Sequence, residues 1–155
     1  MITTAPANAN QTFIVTEEIQ VRASLEQTFA SLMVQMGRLN ETPDGVPMPM
    51  MLEPYPGGRW YRDLGSDNGH LWGFVQSIKR PVLLEIWGPL FMSTAATSNL
   101  LYRLTETRDG TLISFTHTIV GPFPDDHRPR LSSGWAALHA RVRHAAEAAV
   151  ENPKH

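Results

Sequence analysis

The sequence predicts an α+β domain, in which an antiparallel sheet packs against a long C-terminal helix. Three observations lead to this prediction. First, strand-like alternation near the N-terminus is followed by a helical pattern. Second, a series of alternating segments separated by turn residues fills the middle of the chain. Third, the last part of the chain has apolar residues at helical spacing. With 155 residues and a mass of 17.3 kDa, the chain has the size of a single domain.

The first elements are a strand and a capped helix. Residues 13–22 alternate between apolar and polar side chains, which is the pattern of a half-buried strand. Ser24 and Gln27 form a capping box, and the apolar residues that follow recur at helical spacing as far as Gly37. Residues 40–56 hold five prolines, so a loop is expected there, with room for a short edge strand over 50–53.

The remaining elements are five strands and one helix. The strands are predicted over 59–64, 70–78, 83–92, 98–107 and 111–120. Asp109-Gly110 between two alternating segments is a hairpin signal. A proline-containing loop over 121–129 leads to a helix over 129–150, whose apolar stripe must be buried against another element. The stripe comprises Leu131, Trp135, Leu138, Val142, Ala145, Ala146 and Ala149.

Composition narrows the function classes. Thirteen Lys and Arg against fifteen Asp and Glu give a net charge of -2, which argues against nucleic acid as a partner. The cysteine count of zero excludes disulfides, thiolate metal sites and cysteine nucleophiles. No segment has the length or apolarity of a membrane span or the form of a secretory signal, so we expect a cytoplasmic protein. Residues 1–11 are expected to be a disordered leader, 12–151 the domain, and 152–155 a frayed tail.

Several short motifs, in their order along the chain, resemble the SRPBCC superfamily, which includes START lipid carriers, the birch pollen allergen and polyketide cyclases. The branch that they resemble most is that of the homologues of the heat-shock-protein ATPase activator. The motifs are Pro56-Gly57-Gly58-Arg59-Trp60, Gly73-Phe74-Val75 ending at Pro81, Leu83 with Trp87, Asp109-Gly110-Thr111 with Phe115 and His117, and Gly134-Trp135 with Leu138.

The resemblance implies a helix-grip fold, in which a curved antiparallel sheet of about six or seven strands wraps the C-terminal helix and encloses a hydrophobic cavity. It implies a small hydrophobic or aromatic ligand in that cavity, and it does not imply a reaction. Two alternatives remain: a cyclase- or hydrolase-like enzyme using the same cavity, and a protein-interaction module like the chaperone ATPase activators. A homodimer is a further alternative that no sequence feature selects.

Aromatic side chains are the main candidates for the cavity wall, because they fall on the predicted strands or on the inner stripe of the last helix. Filling an ordinary core is the alternative role for each of them. With Leu138 of the helix stripe, the candidate wall comprises Trp60, Trp72, Phe74, Trp87, Phe91, Tyr102, Phe115, Trp135 and Leu138.

Three polar residues are candidates for orienting a ligand. His117 shares a strand face with Phe115 and other apolar residues, so it is expected to point inward, either into the cavity or as a hydrogen-bonded core histidine. Glu85 has the parity of Trp87, but both faces of its strand are apolar, so its direction is undecided. Arg62 lies two residues after Trp60 and could face the cavity or solvent.

Motifs for metals, nucleotides and covalent hydrolysis are not found. His139 and His144 are five residues apart, which does not stack them on a helix face, and no HExxH, GxSxG or GxGxxG occurs. Glu17 and Glu18 are interpreted as solvated strand charges. We therefore expect no metal and no cofactor, and binding of a small molecule is favoured over catalysis.

Overall fold

A computed structural model describes residues 1–4 and 12–151 of the chain. Most of the predicted leader, residues 5–11, and the whole of the predicted tail, residues 152–155, lie outside the described residues.

The described part of the chain contains the predicted order of elements. Strands form over Thr12–Val21 (β1), Met51–Leu52 (β2), Arg59–Gly65 (β3), Asn68–Lys79 (β4), Leu83–Gly88 (β5), Thr97–Thr107 (β6) and Gly110–Val120 (β7). The helices are Leu25–Met36 (α1) and Arg128–Glu151 (α2), and a 3₁₀ turn over Asp125–His127 precedes α2.

The seven strands of the described residues form one antiparallel, curved sheet in the order β1-β7-β6-β5-β4-β3-β2. Helix α2 lies on its concave side, where it packs against α1 and β1. The Ser31 hydroxyl of α1 donates a 2.8 Å hydrogen bond to the Val142 carbonyl of α2 and so ties the two helices together. No helix in the described ranges has both the length and the apolarity to cross a bilayer. The predicted fold class is confirmed.

Strict alternation along the central strands places the core. On β7, Ile113, Phe115, His117 and Ile119 are buried, whereas the residues between them are only partly buried. The same period of two puts the even-numbered residues of β5 and β6 inward. The side chains on this face point toward α2, so the residues at these positions set the shape of the surface against which α2 packs.

Strand β5 is shorter than predicted, because it ends at Gly88 rather than continuing to Met92. At this point β4 and β5 approach closely: a Cβ on Gly88 would lie 2.5 Å from the Gly73 Cα and 2.7 Å from the Trp72 carbonyl oxygen. Leu90 then takes a left-handed φ of 52° and donates its N–H to the Trp72 carbonyl at 2.9 Å. The chain leaves the sheet here and turns toward the concave side.

Helix α1 begins with the predicted capping box. The Ser24 hydroxyl accepts the Gln27 backbone N–H at 3.1 Å, and the Gln27 side chain accepts the Ser24 backbone N–H at 3.2 Å.

We expect Ser24→Ala to lower the free energy of unfolding by about 1 kcal/mol, because the helix loses a capping acceptor. Urea denaturation followed by circular dichroism measures the change. Ser24→Thr keeps the hydroxyl and is the control; equal stability of the two variants would contradict the assignment.

Candidate functional site

A cavity of about 430 Å³ lies between the concave face of the sheet and the first half of α2. Strands β3 and β4 supply one wall, α2 supplies the opposite wall, and loops near residues 40–48 and 90–92 close the sides. Its lining is mostly apolar and includes Met48, Trp60, Arg62, His70, Trp72, Leu90, Phe91, Phe123, Arg130, Leu131, Gly134, Trp135, Leu138 and Arg141.

Three tryptophans dominate the wall. Trp60 on β3 is 1% exposed, and its indole N–H donates to the Met36 carbonyl at 2.9 Å, which fixes the ring. Trp72 meets Trp60 edge to face, with ring centroids 5.0 Å apart. Trp135 faces them from α2. The tryptophan rings of the sheet and of α2 therefore face each other across the open space of the cavity.

A β-bulge brings Trp72 into this wall. Trp60 pairs with Gly73 and Tyr61 pairs with Leu71, so Trp72 is an extra residue in β4 without a partner on β3. Leu71 and Phe74 then fall on the outer face although Phe74 has the parity of Trp72. The bulge thus reverses the alternation of β4 between Trp72 and Phe74.

The helix wall is joined to the core by a buried histidine. Trp135 donates its indole N–H to His117 Nδ1 at 3.0 Å, and His117 Nε2 then donates to the Ser98 hydroxyl at 2.9 Å. Burial lowers the pKa of His117 to about 4, so the imidazole is neutral near neutral pH. Both ring nitrogens are occupied, and His117 is the hydrogen-bonded core histidine rather than a group lining the cavity.

Solved structures with the same arrangement of sheet and helix are similar to this chain. Protein SA2116 of unknown function from Staphylococcus aureus is 12% identical, with a TM-score of 0.66 over 92% of this chain and 98% of that chain. Ara h 8.0201 is 13% identical, with a TM-score of 0.65 over 89% of this chain and 99% of that chain. This chain has the helix-grip fold.

A third similar structure has two domains. The di-domain ARO/CYC StfQ from the steffimycin biosynthetic pathway is 12% identical, with a TM-score of 0.65 over 90% of this chain and 52% of that chain. This chain thus spans about half of StfQ. No protein-family model matches the sequence, and no curated protein matches it. These identities show the helix-grip fold alone, and the predicted place beside the heat-shock ATPase activator homologues stays a prediction.

Half of the twelve predicted site residues line the helix-grip cavity. These residues are Trp60, Arg62, Trp72, Phe91, Trp135 and Leu138. Tyr102 and Phe115 are buried deeper, behind Trp135, with the Phe115 and Trp135 centroids 4.9 Å apart. They support the wall from the core side, as His117 does.

Phe74, Glu85 and Trp87 do not line the cavity and lie on the outer face of the sheet. Trp87 is 48% exposed and packs against Phe74, with ring centroids 5.6 Å apart. Glu85 accepts a 3.1 Å hydrogen bond from Asn99. The correction for Phe74 follows from the bulge at Trp72, and that for Glu85 and Trp87 from the inward parity of Leu84 and Ile86.

A second polar chain leads from the partly exposed Glu17 to the buried His139 and Tyr102, of which only Tyr102 is a predicted site residue. His139 Nδ1 donates to the Glu17 carboxylate at 2.7 Å, and Tyr102 donates its hydroxyl to His139 Nε2 at 2.8 Å. Burial lowers the pKa of His139 despite Glu17, and burial raises that of Tyr102 well above its usual value. Glu17 is thus only partly solvated, because its carboxylate also accepts the hydrogen bond from His139.

One signal in the sequence could have revealed His139. It lies four residues after Trp135 and three before Val142, so it falls on the inner stripe of α2. The loop residues that complete the cavity carry no comparable signal, because proline-containing segments have no periodicity that shows which side chains turn inward.

A separate groove of about 700 Å³ runs between α1 and β2 at the edge of the sheet. Phe29, Met33, Met51 and Leu52 are among its lining residues, and Pro81, which follows a cis peptide bond, borders it. It carries no tryptophan and lies outside the space between the sheet and α2, so the helix-grip cavity is the better candidate for a specific site.

Proposed function

We propose that the protein binds a small hydrophobic or aromatic molecule in the cavity between its sheet and α2. The observation that carries this proposal is the open volume of about 430 Å³ between facing tryptophans. Small-molecule sites are typically concave and mostly apolar, with volumes from about 300 Å³ upward and a few polar groups. StfQ, described as an ARO/CYC of a biosynthetic pathway, supports a small-molecule role for a chain of this fold.

The energetics of such binding come from apolar burial. At about 25 cal/mol per Å², removing roughly 200 Å² of ligand surface from water contributes on the order of 5 kcal/mol before the costs of association. Trp60 is already held by its bond to Met36, and Trp135 by its bond to His117. Walls fixed in this way lose little conformational entropy when a ligand enters, which favours affinity.

Catalysis with His117 and Glu85 as acid and base has no support in this geometry. His117 points to the concave side, where its nitrogens contact Trp135 and Ser98, whereas Glu85 lies on the convex side with Asn99. General acid-base catalysis needs both groups within reach of one substrate. Binding is therefore the function that the site supports best, and a closer relation to the heat-shock ATPase activator homologues remains part of our proposal on sequence resemblance alone.

Gly134 offers a direct test, because it lines the cavity and a Cβ there would meet only Pro43 Cγ, at 3.9 Å. We expect Gly134→Phe to fill the cavity and abolish binding of 2-naphthamide, a neutral aromatic probe, in isothermal titration calorimetry. Gly134→Ala is the matched control: it should keep binding and raise the free energy of unfolding by about 1 kcal/mol, since alanine is the better helix former.

Two outcomes would overturn the proposal. One is no heat of binding from any of several aromatic probes, neutral or acidic, to the unmodified protein. The other is unchanged binding by a folded Gly134→Phe variant, which would place the probe elsewhere, for instance in the groove beside α1. Circular dichroism of each variant confirms that the fold is retained.

A further inference from the structure

The polar part of the cavity lining carries an excess of positive charge. Three arginines line it, Arg62 from β3 and Arg130 and Arg141 from α2, and among the lining residues that the structure describes Glu41 alone carries a carboxylate. His70 and His127 also border the cavity, and both are exposed. The chain as a whole has a net charge of -2, so this excess is a local property of the cavity and not of the protein.

Glu41 is already engaged by one of the three arginines. Arg141 places its Nε 3.7 Å from a Glu41 carboxylate oxygen and donates from a terminal nitrogen to the Glu41 carbonyl at 3.4 Å. The Arg141 Nε is buried and has no hydrogen-bond partner within the described ranges. Within the described part of the lining, the Glu41 carboxylate is thus paired with Arg141 and not with the other two arginines.

Arg62 and Arg130 have no such partner. Within residues 1–4 and 12–151, neither guanidinium forms an ion pair or a side-chain hydrogen bond. Arg62 is partly buried, two residues from Trp60 and across the β3–β4 pair from His70, whereas Arg130 is exposed. A partly desolvated guanidinium gains most from an anionic oxygen pair, which its planar fork can bind with two parallel hydrogen bonds.

The two arginines flank the aromatic surface. Arg62 follows Trp60 on the sheet wall, and Arg130 precedes Leu131 in the first turn of α2. Arg141 lies eleven residues beyond Arg130, which is about 16 Å along the helix at the usual rise, so it belongs to another part of the lining. A ligand whose ring lies between the tryptophans therefore has one of these guanidinium groups on each wall, Arg62 on the sheet and Arg130 on the helix.

We propose that the ligand is an aromatic or apolar molecule bearing a carboxylate, whose acidic group is bound by Arg62 and Arg130 while its apolar body occupies the tryptophan-walled cavity. This inference rests on the proposed function, because it specifies the class of molecule that the same cavity takes. Apolar burial provides the bulk of the affinity, and the arginines discriminate between an acid and its neutral analogue.

A matched pair of probes tests the proposal: 2-naphthoic acid and 2-naphthamide share a ring system and differ in charge. In isothermal titration calorimetry at neutral pH and low salt, the acid is expected to bind about tenfold tighter than the amide, as charge-assisted hydrogen bonds replace neutral ones. In about 1 M salt, where the Debye length falls to about 3 Å, the preference should shrink severalfold while amide binding changes little.

Arginine variants test which residues cause the preference for the acid over the amide. Arg62→Gln and Arg130→Gln should each weaken binding of the acid severalfold and leave that of the amide unchanged. Arg103→Gln is the control, because Arg103 has the outward parity of β6 and does not line the cavity. Equal affinities for acid and amide, or a preference for the acid that survives in the double Arg62→Gln/Arg130→Gln variant, would overturn the inference. Failure of both probes to bind would instead overturn the proposed function. The salt dependence of the unmodified protein gives a readout that needs no variant.

Discussion

Between pH 6.5 and pH 4, protonation of His117 is expected to reduce the free energy of unfolding by roughly 3 kcal/mol. Burial lowers the pKa of His117 from 6.5 to about 4 in the folded protein, so within this window the unfolded state binds the additional proton. Stability is then fully present above pH 6.5 and falls as the pH drops toward 4. The pKa of His139 is lowered as well, which adds to the loss in the same direction.

Urea denaturation followed by circular dichroism at a series of pH values measures this slope. His117→Gln is the informative variant, because the amide oxygen can accept the Trp135 N–H and the amide nitrogen can donate to Ser98, as the neutral imidazole does. Its slope should be shallower but not zero, since His139 remains. If the variant and the unmodified protein lost stability in parallel below pH 6.5, His117 would not be the titrating group.

Gly88→Ala is expected to reduce the free energy of unfolding by about 3 kcal/mol or more, the upper range for an overpacked site. The added Cβ would lie 2.5 Å from the Gly73 Cα and 2.7 Å from the Trp72 carbonyl oxygen. Both atoms belong to the backbone, so no side-chain rotation relieves the contact. Strand β5 would have to separate from β4 at the place where the Trp72 bulge shapes the cavity wall.

Gly45→Ala is the control variant, because it shows how much of the loss in the free energy of unfolding comes from backbone conformation and how much from steric crowding. Gly45 has a left-handed φ of 81° and nothing within 4 Å of an added Cβ, so its replacement costs only the conformational strain of about 1 kcal/mol. Thermal and urea denaturation of the two variants should therefore differ clearly. A Gly88→Ala variant as stable as Gly45→Ala would show that β4 and β5 have room to separate.

Much of the fold follows from local patterns in the sequence. The alternation of β1 and β7, the Ser24 capping box and the helical stripe of α2 each place a whole element, because side-chain period and capping chemistry act within a few residues. The apolar residues of β5 continue past Gly88 and so predict a longer strand, whereas the backbone turns at Gly88 and Leu90 donates its N–H to the Trp72 carbonyl.

The candidate site was harder to predict because it depends on pairing between strands. Trp72 and Phe74 both belong to the candidate wall predicted from the sequence, and only the register against β3 shows that Trp72 is an extra residue that turns Phe74 to the other face. Glu85 had an undecided direction for a related reason, since both faces of β5 are apolar: one packs in the core and the other holds the Phe74–Trp87 pair. The partners of His139 come from two distant strands, which no local pattern connects.

The placement of the tryptophans makes the intrinsic fluorescence of this protein sensitive to occupancy of the cavity. Of its four indoles, Trp60, Trp72 and Trp135 line the cavity, whereas Trp87 is 48% exposed on the opposite face of the sheet. An aromatic occupant would lie beside three emitters, with the sheet between it and the fourth, so quenching of the blue-shifted, buried emission would follow occupancy, while the red-shifted emission of Trp87 would change less and serve as a reference. A Trp87→Phe protein would emit from the cavity wall alone.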